Sequence, residues 1–292
     1  MYLAQLFAGK ESLGYYQKAL SLLSSAPVQD DDAKRKMAQV YTAMTELYMS
    51  DETLDLSDEI ALCNNEENKV TELVTKKCES FLQEARKLDP YSAETVCCQA
   101  QFWLSVYGIE AKGSEVVALL EDFLGKIYSA ASASVATVAA DDANPEEKDL
   151  YEDQMESLRI EALIKCLEYD IRMEMLKLAL ECSCPDMASP LLDSLYSEND
   201  SPLELDYFSA MLVSQSENAT SPESQDLIRE NLECFVEKYS QAKSYMDLED
   251  SQGEELAQMY ENALEMLRNV TAHPNGQSST VELMEQDPEV GK

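Results

Sequence analysis

The sequence predicts an all-α protein, and three observations carry that expectation. Glycine and proline number only 8 and 9 in 292 residues, too few for the turns of a sheet-rich fold. Long stretches are built from Ala, Leu, Glu, Met, Gln and Lys, which give up little on entering a helix. Apolar residues recur at steps of three and four, the period that gives a helix one apolar face. The apolar fraction of 45% is ordinary for a globular chain, so a real core is expected.

Residues 2–25 read as one helix or two short ones, with Tyr15, Tyr16, Ala19, Leu20 and Leu23 on the apolar face. Pro27 and the Asp30–Asp32 run end it. The first residues already look helical and lack a cap, which raises the expectation of a start inside a longer gene product. Residues 33–50 form a strong helix through Met37, Val40, Met44, Leu47 and Tyr48. The pattern breaks over 51–67, read as an acidic insertion with a short helical turn. A helix resumes at 68–88 through Val70, Val74, Cys78, Leu82 and Ala85. Asp89-Pro90 stops it, because the residue before proline avoids the helical region. A helix over 92–107 follows, ended by Gly108, and another covers 114–129.

The Ala/Ser/Val run from Ala130 to Asn144 has no amphipathic period, so 130–145 is expected as a flexible linker. Helical periodicity returns from 146 to about 183, through Leu158, Leu163, Leu167, Ile171, Met175 and Leu178, with a turn expected near 169–172. Pro185, Pro190 and Pro202 then punctuate short helices. Helices at 222–242 and 253–270 complete a domain spanning 1–270, and 271–292 is expected as a disordered acidic tail.

Helices of this length joined by short turns stack in pairs as a solenoid. Cys78, Leu82, Ala85 and Pro90 have the spacing small-x3-large-x2-Ala-x4-Pro, that of the second helix of a tetratricopeptide repeat. Val96, Gln99, Ala100 and Trp103 have the spacing of a first helix, with Ala100 as the small crossing residue and Gln99 where leucine is usual. Val40, Ala43, Met44 and Leu47 match more loosely, with the small residue one place early. Ala188, Leu192 and Leu195 match a second helix without the proline. The fold class expected is therefore an all-α, tetratricopeptide-like helical-hairpin solenoid with degenerate repeats.

The chain carries 57 acidic residues against 22 basic, a formal net charge of −35. Solubility of a small domain needs a magnitude of only about 2–8. Such a field repels nucleic acid and anionic membrane and attracts cations. A basic protein partner is expected, with no direct nucleic-acid or membrane contact. Met1–Lys18 lacks a signal-type apolar run, and no segment approaches the ~20 apolar residues of a membrane span. The eight cysteines are then reduced thiols of a cytosolic or nuclear protein, mostly filling apolar helix positions. Asn199, Asn218 and Asn269 fit the glycosylation pattern, which has no meaning in an intracellular chain.

Catalysis is not expected. The sole histidine, His273, lies in the tail, away from any nucleophile it could serve. Cys182-Ser-Cys184-Pro185 is the one metal-like feature, but a closed zinc site needs four ligands, and Cys97 and Cys98 point about 100° apart on a helix. A calcium loop begun at Asp51 would place Leu56 and Leu62 where glycine and the closing glutamate belong, and one begun at Asp55 would place Ile60 at the glycine. No glycine-rich phosphate loop occurs. No cofactor or metal is expected.

The run Thr45-Glu46-Leu47-Tyr48-Met49-Ser50-Asp51 is followed by Lys77-Cys78-Glu79-Ser80-Phe81-Leu82, then Ala85, Leu88-Asp89-Pro90 and Ala93-Glu94-Thr95. Across 42–104, interrupted by 52–75, this resembles the assembly chaperones of the large-subunit ribosomal protein L-four, which are acidic tetratricopeptide proteins. The resemblance implies capture of a newly made, strongly basic ribosomal protein and shielding of its extended basic loop until delivery to pre-ribosomes. It implies work in cytoplasm and nucleus by a chain expected to be monomeric. The residues matching the family stretch are Glu46, Tyr48, Met49, Asp51, Cys78 and Glu79. Adding Glu94, and Trp103 and Tyr107 for cation–π contacts, the candidate partner-binding residues are Glu46, Tyr48, Asp51, Glu94, Trp103 and Tyr107. The alternative expectation is a general tetratricopeptide adaptor for a peptide segment such as a heat-shock protein tail. That mode needs a basic clamp for a carboxylate, and this chain is acidic.

Overall fold

The computed structural model describes residues 2–25, 30–50, 56–57, 60, 63, 66–132, 145–198, 203–243 and 251–271. The regular structure among them is helical. Contacts divide the chain into two compact units, Met1–Ser201 and Pro202–Lys292, a division that the expectation of one domain over 1–270 did not include. Asp51, most of the 51–67 insertion, 133–144 of the linker, and the tail beyond 271 lie outside the described residues.

The first unit holds α1 (Tyr2–Gln5), α2 (Gly9–Ser24), α3 (Asp31–Ser50), α4 (Glu67–Leu88), α5 (Ala93–Tyr107), α6 (Ile109–Ser132), α7 (Pro145–Cys166), α8 (Tyr169–Glu181) and α9 (Pro185–Tyr196). Local chemistry sets the breaks. Gly9 turns the chain between α1 and α2 at φ 56°, a left-handed conformation that glycine adopts without strain. The Asp30 side chain accepts from Ala33 N at 2.8 Å, capping α3, and Asp31 and Asp32 occupy its first turn, where negative charge suits the helix dipole. Pro90 ends α4, and Ser92 caps α5 by accepting from Thr95 N at 3.2 Å. Gly108, at φ 79°, swings the chain so that α6 starts at the next residue. That start at Ile109 is earlier than the periodicity over 114–129 suggested.

The stretch 146–183 divides into α7 and α8 at Leu167-Glu168, slightly before the expected turn. Glu168 is extended, at φ −67° and ψ 155°, and opens α8. Ser183, at φ 54°, makes the tight turn that lets Cys184 N donate to Ala179 O at 2.9 Å, and Pro185 then begins α9 at a position where a missing N–H costs nothing.

Within the first unit α1 packs on α2 and α4 on α5, and three pairs, α3–α5, α5–α8 and α7–α9, bring together helices that are not adjacent in sequence. α3 packs on α2, α4 and α5; α5 packs on α6 and α8; α8 packs on α9; and α7 packs on α6 and α9. Thus α3, α5 and α8 succeed one another side by side. Ala38, Ala85, Ala100, Ala179 and Ala188 are fully buried, the small side chains that let helices approach closely. The hydroxyls of Thr42 and Thr95 lie 2.8 Å apart between α3 and α5, a buried polar pair that fixes their register.

The second-helix spacing of Cys78, Leu82 and Ala85 corresponds to three buried residues facing the core. The same spacing recurs on α2, where Ser12 and Tyr16 are buried and Ala19 packs against the cluster of Tyr16, Val40 and Met44. Arg172 of α8 is 1% exposed. Its guanidinium donates to Ser194 O at 2.9 Å and pairs with Glu198, holding the C-terminal end of α9, while its Nε has no hydrogen-bond partner.

The second unit holds α10 (Leu205–Ser214), α11 (Pro222–Ala242) and α12 (Ser251–Thr271). α11 packs on both others through Tyr207, Phe235, Tyr239 and Tyr260, with Tyr239 and Tyr260 stacked at 4.6 Å. Asp206, nearly buried, accepts from Lys238 at 2.7 Å, which pairs the charge that burial would otherwise penalise.

Candidate functional site

Successive helices of the first unit bring three carboxylates close enough to interact. Glu46 stands on α3, Glu94 begins α5, and Glu174 lies in the middle of α8. The Glu46 carboxyl is pushed above the ordinary carboxylate range by burial first and then by Glu94. The Glu174 carboxyl is also raised by burial, then by Glu46 and Glu94, with Lys177 opposing. Gln101 donates to Glu174 Oε1 from the neighbouring helix. Negative charge is therefore concentrated where three helices meet, on a surface already strongly anionic.

Two cavities border this cluster. One, of about 350 Å³, is lined by Gln5, Gln39, Thr42, Ala43, Glu46 and Glu94. The other, of about 460 Å³, shares Gln39 and Glu94 with the first. It continues past Asp89, Tyr91 and Ser92 to Glu168 at the start of α8, over Phe123, Ile127, Leu167 and Ile171. Its basic lining residue, Lys126, is already paired with Asp122 at 2.6 Å. The two cavities adjoin at Gln39 and Glu94, one reaching toward α1 and α3 and the other toward α6 and the α7–α8 turn.

The structure brings Glu46 and Glu94 to this groove. It puts Tyr48, Trp103 and Tyr107 elsewhere, since none of the three lines either cavity. Tyr48 and Trp103 pack on the core of Cys78, Leu82, Cys98 and Phe102. The Lys77 ammonium sits 5.6 Å from the Tyr48 ring centre, and Lys112 sits 5.6 Å from Trp103 and 5.9 Å from Tyr107. The Tyr107 hydroxyl donates to Glu79 Oε1 at 2.6 Å, and that bond raises its pKa. These rings already meet cations of their own chain. Glu174 was not singled out from the sequence, because it lies beyond the stretch carrying the family resemblance and amid many similar acids.

No protein-family model matches this chain, and no curated protein sequence does. What the site can do is therefore argued from its own residues. Cys97 and Cys98 are buried beside the carboxylates, and burial pushes both thiols far up. Burial likewise raises Cys78 to about 11. A thiol so placed stays protonated and is a poor nucleophile or metal ligand. Among the described residues no three His, Cys, Asp or Glu side chains are grouped to hold a metal ion. None of the helices described is long and apolar enough to cross a membrane.

The raised carboxyls have a consequence for stability. A carboxyl whose pKa is higher folded than unfolded binds more protons in the native state between the two values, so stability falls as pH rises through that window. Replacing Glu46 by glutamine is therefore expected to raise the melting temperature at pH 7–8, and the gain should vanish near pH 4. Thermal melts against Glu265→Gln, which removes the same charge from an exposed position on α12, check this. A Glu46→Gln variant no more stable than that control would refute it.

Proposed function

We propose that this chain is a dedicated assembly chaperone. It binds and shields a basic, newly made ribosomal protein through an acidic groove until delivery to pre-ribosomes, and large-subunit protein L-four is the client. The observation that carries the reading is the placement of Glu46 and Glu94 on the lining of two adjoining cavities, with Glu174 near enough on α8 to feel their charge, in a chain of net charge −35. The neighbour order α3, α5, α8 supports a tetratricopeptide-like solenoid in which these are the first helices of their pairs. The choice of L-four rests on the family resemblance of residues 42–104.

The physics of such a complex is plain. A basic ribosomal extension has no core of its own before assembly, and each exposed charge pair contributes only about 0–1 kcal/mol, so many must act together. Binding of this kind is fast and weakens with salt. Concentrated carboxylates that hold their charge at a cost to folding are typical of a surface kept for binding.

The test is affinity capture with the purified full chain at low salt, against recombinant L-four and a heat-shock protein C-terminal tail. Stoichiometric L-four binding that falls steeply between 50 and 500 mM salt is expected, with no binding of the tail. Binding of the tail in preference to L-four would replace this reading with that of a general adaptor.

A further inference from the structure

The larger cavity has features that charge attraction does not require. Its floor is apolar, formed by Phe123, Ile127, Leu167 and Ile171 from α6, the α7–α8 turn and α8. Its rim carries Asp89, Glu94 and Glu168. Tyr91, at the α4–α5 turn, lines it while remaining 71% exposed. A volume of about 460 Å³ lies within the 300–1,000 Å³ typical of ligand pockets. A purely electrostatic surface would have no use for an apolar recess bordered by three carboxylates and by Lys126, whose charge is already paired with Asp122. The charges around it say what fills it: a cationic segment that also carries a large apolar side chain.

The geometry points to a two-part recognition site, in which an extended basic segment places Lys or Arg against Glu46 and Glu94 and seats one aromatic or leucine-sized side chain in the recess over Phe123 and Ile171. The inference rests on the basic-client reading and adds to it a sequence preference. Charge brings the segment in and tolerates many registers, because every exposed pair is similar in strength. The apolar anchor selects one register, since only one position along the segment can fill the recess.

The test is fluorescence anisotropy of the full chain with two labelled twelve-residue Lys/Arg-rich peptides of equal charge, one with a central Phe and one with Ser in its place. Burial of a phenylalanine predicts roughly tenfold tighter binding of the Phe peptide. Ile171→Ser and Tyr91→Ala should each cut that preference and leave the Ser peptide's affinity unchanged. Tyr91 is exposed enough that its replacement keeps the test alive should Ile171→Ser fail to fold. Equal affinity for the two peptides would overturn the anchor and leave the basic-client reading standing. A preference that survives both substitutions would overturn the placement of the anchor in this recess. Failure of both peptides to bind at low salt would overturn the anchor and the basic-client reading together.

Discussion

Replacing Arg172 by methionine is expected to destabilise the first unit by about 3 kcal/mol, near the lower end of the range for breaking a buried charge pair. The guanidinium satisfies Ser194 O at the C-terminal end of α9 and pairs with Glu198. Methionine fills much of the space but leaves that carbonyl buried without its donor, a cost of about 1–3 kcal/mol by itself. Glu198 is one-third exposed and can rehydrate, which keeps the loss from being larger. For a unit of this size the melting temperature should drop by about 6–12 °C. Arg172→Lys should fall between, because one ammonium cannot serve both partners in the fork geometry of a guanidinium. Denaturant titrations of the two variants give the comparison. A loss under about 1 kcal/mol in Arg172→Met would mean that the arginine does not hold α9 to α8.

The second large effect is on binding. The triple variant Glu46→Gln, Glu94→Gln, Glu174→Gln removes three charges while keeping side-chain shape. At about 0.2–1 kcal/mol per pair, it should weaken binding of L-four or of a Lys/Arg-rich peptide by about tenfold at low salt. The difference should shrink as salt rises, because screening acts on the wild type more than on the neutralised groove. The same variant is expected to be no less stable than the wild type, since two of its three carboxyls carry charge against burial. Isothermal titration at two salt concentrations separates the outcomes. Unchanged affinity would place the basic partner on some other face.

Helix existence was readable from periodicity, and α11 falls on the expected 222–242. The breaks were readable where chemistry marks them, as at Asp89-Pro90 and Gly108. The break at Leu167-Glu168 was harder to place because no glycine or proline stands there and the apolar period runs through it. The division near residue 201 depends on which helices touch, and local pattern does not encode that.

For the site, Glu46 and Glu94 could be named because they lie in the stretch with the family resemblance. Glu174 could not, since among 57 acids only the fold decides which three meet. Trp103 and Tyr107 are one helical turn apart, so their proximity was legible. That Lys112 would sit beside both rings was not, because the lysine reaches them from the next helix. The apolar recess draws its walls from several separate elements, so no single stretch of sequence announces it.

The chain contains a single tryptophan, Trp103, and it stands in the first unit, against Lys112 and the core of Cys78, Leu82, Cys98 and Phe102. Its emission is thus a natural optical reporter for Met1–Ser201 alone, whereas far-ultraviolet circular dichroism sums helix from both units. If the units melt independently, the two signals give displaced curves, and a single midpoint then describes neither unit.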